Sequence, residues 1–307
     1  MNILKHRKLV LFMLMLSLTA CGGMSPAHQA VINERSSTVD IDMPVFENRL
    51  ETDHFVLKWT GKSSHSGDNI YDSAIIKDTA DYLETAWGKY TSLFGRQPYM
   101  APGRDKIDVV FRDIDCYGLA DPPDGPIQFN SQAWVKKPGI RQPTSAHELF
   151  HKMQYAYGYK TKWNPKKPFL WFTEGTAAWS EVFVWGKVSR ACKVDEIFRD
   201  TRLDLYEAED MAMPFWIFFV AGNHEHANDS LMVRLFEKCE QLGDIRHALD
   251  QVINENYGRA DAFFSSFSSA RKNGFFADRC RLPYKCILGP DGKDVVDKVK
   301  CLQKKPS

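Results

Sequence analysis

His147, Glu148 and His151 form an H-E-x-x-H motif, the stretch of this 307-residue chain whose residue types and spacing point most directly at chemistry. On a helix, residues four apart share a face, one turn apart. Both imidazoles can then reach one small ion, and Glu148 can reach a water beside it. Two neutral His ligands with a carboxylate as general base make the arrangement of a zinc hydrolase. The alternative is a helix carrying two solvated histidines. Local signals predict a helix here. Pro143 precedes Thr144 and Ser145, either of which suits an N-cap. Leu149, Phe150 and Met153 supply an apolar side, and Gly158 a stop.

Such a site needs a third protein ligand and leaves the fourth position to water. An H-x-x-G-x-x-H continuation would supply it directly, but those positions hold Gln154 and Tyr157. Glu174 lies further on, within Trp171-Phe172-Thr173-Glu174-Gly175-Thr176-Ala177-Ala178-Trp179. The separation allows one helix to end and a second to return. Thr173 can cap that second helix, with Glu174 in its first turn. Gly175, Ala177 and Ala178 are small enough for the two helices to approach closely. Glycine is costly inside a helix, so a packing reason is expected for Gly175. An ordinary amphipathic helix with Glu174 exposed at its start is the alternative.

At these two motifs the sequence resembles the gluzincin metallopeptidases, the thermolysin-like group with H-E-x-x-H and a downstream Glu ligand. It looks closest to bacterial metalloproteases that carry H-E-x-x-H-x-x-Q-Y followed by W-x-x-E-G-x-A-x-W. The matching residues are His147, Glu148, His151, Gln154, Tyr155, Trp171, Glu174, Gly175, Ala177 and Trp179. The resemblance covers about residues 144–181. It implies zinc ligands His147, His151 and Glu174, with Glu148 as base. One departure stands out. Thermolysin-like chains place an acidic residue one turn after the Glu ligand to orient a ligand His, and that position is Ala178. Glu181, a turn further, is a weak substitute.

The start of the chain is a targeting segment. Lys5, Arg7 and Lys8 form a basic start, and Leu9 to Ala20 is apolar but too short to favour a membrane span. Leu18-Thr19-Ala20-Cys21-Gly22 resembles the bacterial lipobox, in which the Cys carries acyl chains of the palmitate type. A plain signal peptide with a nearby Cys is the alternative. Lipidated Cys21 would hold the protein to a bilayer. Gly22 after it suggests the outer membrane, facing periplasm or surface. Residues 1–20 are read as signal and 21–50 as a tether. With formal net charge +1, the chain gives no reason to expect nucleic acid.

The positioning elements follow from periodicity. Phe55, Leu57 and Trp59 alternate as a strand does, and Ile107, Val109 and Phe111 do the same. Between them, Ile76, Ala80, Leu83, Trp87, Tyr90 and Phe94 recur at helical steps and end near Gly95. Residues 112–125 read as loop, and Ile127 to Val135 as a further strand. By resemblance, that strand would be an edge pairing with an extended substrate backbone. Helices are expected over Met213–Val220, Ser230–Glu240, Ile245–Ile253 and Ala260–Ala270. Phe215 to Phe219 should be core. The expected fold is α+β. By resemblance, a zincin-like lobe over 51–158 holds a small sheet and the H-E-x-x-H helix. A helical lobe over 159–275 carries Glu174, and 276–307 form a Cys-containing tail.

Other residues carry rival or open readings. His224 and His226 flank Glu225 in a Gly-Asn loop and could replace Glu174 or form a second metal site. Tyr206, Tyr155 and Tyr159 are equally open as the phenol that steadies an oxyanion. If Cys21 is lipidated, Cys116, Cys192, Cys239, Cys280, Cys286 and Cys301 form an even set suited to disulfides outside the cytoplasm.

The leading expectation is a zinc-dependent metallopeptidase tethered to a bacterial envelope, acting on peptide or protein substrate. A catalytically silent lipoprotein of the same fold with a binding or assembly role is one alternative. A zinc amidase acting on a cell-wall bond is another. The Leu18–Cys21 pattern is directly testable. Mass spectrometry of the mature N-terminus should find acylated Cys21, and Cys21→Ser should release or mislocalise the protein. An unmodified N-terminus in the wild type contradicts the lipoprotein reading.

Overall fold

The computed structural model describes residues 45–162, 169–186, 205–206, 212–221 and 228–272. Its architecture is α+β, with a five-stranded mixed sheet and a larger set of helices. The chain divides into two units. Among the described residues, the first holds 45–80 and 101–138; the second holds 81–100 and those from 139 onward.

The first unit is built on strands β1 (Asn48–Glu51), β2 (Phe55–Trp59), β3 (Ile107–Arg112), β4 (Gly118–Leu119) and β5 (Ile127–Asn130), ordered β1-β2-β3-β5-β4. The inner pairs β2/β3 and β3/β5 are parallel, and the outer pairs β1/β2 and β4/β5 are antiparallel. Alternate residues of a strand share a face. Accordingly Phe55, Leu57, Val109, Phe111, Ile127 and Phe129 are all fully buried.

Three expectations differ from the structure in this unit. The first strand begins at Asn48, inside the segment read as tether, because pairing with β2 satisfies its backbone. The strand expected to reach Val135 stops at Asn130, whose side chain accepts the Ala133 N–H at 2.7 Å and starts a helix. Nor is that strand an edge, since β5 lies between β3 and the two-residue β4.

Helix α1 (Ser73–Phe94) carries the expected stripe from Ile76 to Phe94, each of its six residues at most 5 % exposed. Its early turns belong to the first unit and the rest, from residue 81, to the second. Helix α2 (Ser131–Lys136) follows β5, and its Trp134 ring stacks on Phe129 at 4.2 Å. The Trp134 indole N–H donates to Thr79 Oγ1 of α1 at 2.9 Å.

The second unit is helical: α3 (Arg141–Ala156), α4 (Leu170–Trp185), α5 (Met213–Ala221), α6 (Ser230–Leu242), α7 (Ile245–Tyr257) and α8 (Ala260–Lys272). The second of these units resumes at residue 139, so the H-E-x-x-H helix α3 groups with the Glu174 helix α4. Packing explains this. Phe150 of α3 lies edge-on to Trp179 of α4, Tyr90 of α1 and Phe236 of α6, with ring centroids 5.3–5.9 Å apart. Such edge-to-face contacts add to the area buried.

From Phe215 to Val220, α5 is buried on every side, as its all-apolar sequence requires. It also explains Gly175. A Cβ there would sit 2.6 Å from the Trp216 Nε1 and 2.8 Å from the Ala212 Cβ. The small residue therefore admits α5 and the residue just before it, and not α3 as the sequence suggested.

Cys239 is fully buried on α6 and free, so the six cysteines are not all paired. Its position on an apolar helix face makes it a core residue. Burial, with the Asp244 charge, pushes its thiol well above the ordinary range. Cys116 is disulfide-bonded. Cys192, Cys280, Cys286 and Cys301 lie outside the described residues, as do the signal segment, Cys21 and the tail. No helix among the described residues is long and apolar enough to cross a membrane.

Gly175→Ala should lower stability by about 1–3 kcal/mol, because the added methyl must displace the Trp216 indole, whose N–H donates to the Trp171 carbonyl at 2.9 Å. Chemical denaturation measures this; an unchanged midpoint would show that the close approach carries no strain.

Candidate metal centre

Helix α3 starts at Arg141, earlier than a Thr144 or Ser145 cap would place it, and has no side-chain cap. Ser145 instead donates from within the helix to the Arg141 carbonyl at 2.6 Å. Thr144 Oγ1 is buried without a partner. The early start gives His147 and His151 a full turn of regular helix on either side. Their rings come to 5.0 Å between centroids, at 75° to one another. Tyr157 ends the helix and Gly158 follows with φ 98°, as expected of a stop.

Helix α4 also starts earlier than predicted. Phe169 occupies the N-cap position, and the Thr173 hydroxyl donates to the Phe169 carbonyl at 3.3 Å instead of capping. Glu174 therefore lies in the second turn. It is not the exposed residue of an amphipathic helix, since every residue from Trp171 to Val182 is buried. A carboxylate in so apolar a helix needs a partner.

The partners are the two histidines. Glu174 Oε2 lies 3.2 Å from His147 Nε2 and 3.6 Å from His151 Nε2. One ligand atom from each residue lies within 4.8 Å of the others, so the cluster can hold a metal ion. The spacing tests the fit. Bonds of about 2.0–2.1 Å in tetrahedral geometry separate neighbouring ligand atoms by about 3.3 Å, close to both observed values. The three side chains are only 8–13 % exposed, with His147 the most open.

Both outward-facing imidazole nitrogens are also held. Glu181 Oε1 lies 2.8 Å from His147 Nδ1 and accepts its hydrogen; Gln154 Oε1 accepts from His151 Nδ1 at 3.0 Å. Each Nε2 is thereby left to face Glu174. Glu181 thus takes the orienting role that its spacing made doubtful. Residues seven apart on a helix return to the same face, and Ala178 between them presents only a methyl group. That heptad relation to Glu174 was the signal available in the sequence. Gln154 stands in the same H-E-x-x-H-x-x-Q-Y stretch, where the sequence alone assigns it no role.

Tyr90 fixes the level of these contacts. Its hydroxyl lies 2.9 Å from both the Ala146 carbonyl and the Ser180 hydroxyl. Those residues directly precede His147 and Glu181, so α1 ties α3 and α4 together beside the His147–Glu181 pair.

Of the other candidates, Glu148 is buried beside the centre, and its charge acts on both histidines. His224 and His226 lie outside the described residues. Tyr155 and Tyr159 stack on each other, with ring centroids 6.2 Å apart and planes almost parallel. Tyr206 packs 4.9 Å from Trp171 with the Arg246 guanidinium over its ring.

Burial opposes the charged form of each of these three side chains, and the charges of the cluster prevail. Hydrogen bonds to Glu174 and Glu181, and the Glu148 charge, raise His147 well above its ordinary value. The Glu174 charge and hydrogen bond raise His151. The His151 charge and the hydrogen bonds with both histidines hold Glu174 far below the usual carboxylate range.

No protein-family model matches the chain, and no curated protein matches it.

A histidine with a raised pKa keeps its proton until the pH passes that raised value. Metal entering the site near pH 7 must therefore displace at least one proton, and its affinity should rise with pH. Calorimetric titration in buffers of different ionisation enthalpy measures the release; none at all would contradict the charge arrangement described.

Proposed function

We propose that the chain is a zinc-dependent hydrolase of the gluzincin type, cleaving peptide bonds. The observation that carries this reading is the buried grouping of three carboxylates, Glu148, Glu174 and Glu181, with two imidazoles. Burying that much negative charge is expensive unless it is balanced. A divalent cation between His147, His151 and Glu174 balances it, and two nitrogens with one carboxylate oxygen are the donor set of catalytic zinc. The mixed sheet, followed by the H-E-x-x-H helix and then the Glu174 helix, is compatible with a zincin-like fold.

Zinc, when bound, supplies a Lewis acid that polarises a carbonyl and acidifies water. The protein supplies the rest. His147, His151 and Glu174 hold the ion. Glu181 and Gln154 fix both imidazoles with Nε2 facing inward. Glu148 is adjacent in sequence to His147 and is not needed as a ligand. Its carboxylate takes the proton from an attacking water and delivers it to the leaving amine nitrogen. The buried surroundings strengthen these electrostatic effects.

We place this hydrolase at a bacterial envelope, held by acyl chains on Cys21, where its substrates would be peptides or proteins outside the cytoplasm. The lipobox-like residues Leu18 to Gly22 support that placement.

Two variants separate ligand from base. Glu174→Ala should lose most bound zinc by elemental analysis while remaining folded. Glu148→Gln should keep about one zinc per chain while any hydrolysis in a peptide-library digest falls by orders of magnitude. Full zinc in Glu174→Ala would show that another residue completes the site. Wild-type hydrolysis in Glu148→Gln would remove Glu148 from the mechanism.

A further inference from the structure

Gln154 is fully buried at the contact between α3 and α4, and its amide meets three groups. Its Nε2 donates to the Thr173 carbonyl at 2.7 Å and to Thr176 Oγ1 at 3.0 Å. Its Oε1 faces His151 Nδ1 at 3.0 Å. These contacts allow a single arrangement of hydrogens. The Thr173 carbonyl can only accept, so the amide NH2 must point toward α4. The Thr176 hydroxyl donates to the Phe172 carbonyl at 2.7 Å, which leaves its lone pairs for the same NH2. The amide oxygen is then turned toward α3, and His151 must present Nδ1–H to it. When His151 is neutral, its lone pair then lies on Nε2, the nitrogen that faces Glu174.

A backbone carbonyl one residue before Glu174 therefore sets the tautomer of His151 through a single side chain. The same side chain fixes the height of α4 against α3 at the turn that carries Glu174. Glutamate would not be equivalent, because a carboxylate oxygen would oppose the Thr173 carbonyl at the same short distance. Leucine or methionine would fill the space and hold neither partner.

We propose that Gln154 is a positioning residue of the centre, orienting His151 and setting the Glu174 helix with one amide, so that ligands from two helices are aligned by one group. The proposal rests on the metal-centre reading above. Outer hydrogen-bond partners of metal ligands are typically worth about 10–100-fold in metal affinity, and Gln154 should fall in that range.

The test is the zinc dissociation constant of the full chain, measured by chelator competition, beside the melting temperature of the metal-free protein. Gln154→Met should weaken zinc binding about 10–100-fold. Leu235→Ala, a fully buried core change on α6, should lower the melting temperature and leave the zinc constant within about threefold. With cobalt in place of zinc, the visible spectrum should shift in Gln154→Met and not in Leu235→Ala. If Gln154→Met does not fold, Thr176→Val carries the test: it removes one anchor of the amide without touching His151, and should weaken zinc binding by more than Leu235→Ala does. A zinc constant for the Gln154 variant within threefold of wild type, or equal losses in the core control, overturns the proposal while the metal centre stands. A wild-type chain that takes up no stoichiometric zinc overturns the centre and this proposal with it.

Discussion

The carboxylate of Glu174, buried on one helix and shared by two imidazoles of another, is the constraint on which the second unit depends. An ion pair buried in this way is strongly destabilising if one partner is removed. Helices α3 and α4 must therefore meet in one register. The surrounding residues enforce it from several directions. Phe150 packs edge-on against aromatic rings of α1, α4 and α6, Tyr90 joins the two helices at the level of His147, and Gln154 joins them at the level of His151. Gly175 lets α5 close over the outer side of α4. Packing and polar contacts thus converge on one small group of atoms.

The two histidines are oriented by different chemistry. His147 leans on a carboxylate, Glu181, and His151 on a neutral amide, Gln154. Both partners accept a hydrogen from Nδ1 and leave Nε2 for the centre, but only one adds charge. A carboxylate partner makes an imidazole more basic and a better ligand. An amide fixes geometry and adds no further negative charge to a site that already holds three carboxylates. The arrangement could suit a divalent cation, and it gives each histidine of the cluster its own outer support.

Much of this was legible in the sequence because it depends on short-range periodicity. The spacing of His147 and His151 predicted a shared helix face, and the stripe from Ile76 to Phe94 predicted α1. Glu174 was found because a helix-return distance and small neighbours marked it. Other features depend on tertiary contacts. Gly175 looked like clearance for the neighbouring motif helix, and the bulk it admits is Trp216, some forty residues later in the chain. Thr144 and Thr173 looked like caps, but both helices begin a turn earlier and use neither side chain for that purpose. The strand expected through Val135 is cut short at Asn130, whose side chain caps the helix that begins at Ser131. Glu181 reads in the sequence as only a weak substitute for an acidic residue one turn after Glu174, whereas two turns return to the same face.

The central claim is that His147, His151 and Glu174 together bind one metal ion, with Glu148 and Glu181 outside its coordination shell. Anomalous diffraction at the zinc edge from crystals of the zinc-loaded protein tests it most directly. The account predicts a single strong peak within about 2.0–2.2 Å of His147 Nε2, His151 Nε2 and a Glu174 carboxylate oxygen. No peak at this position, or a peak bonded to Glu148 or Glu181 in place of Glu174, would contradict it.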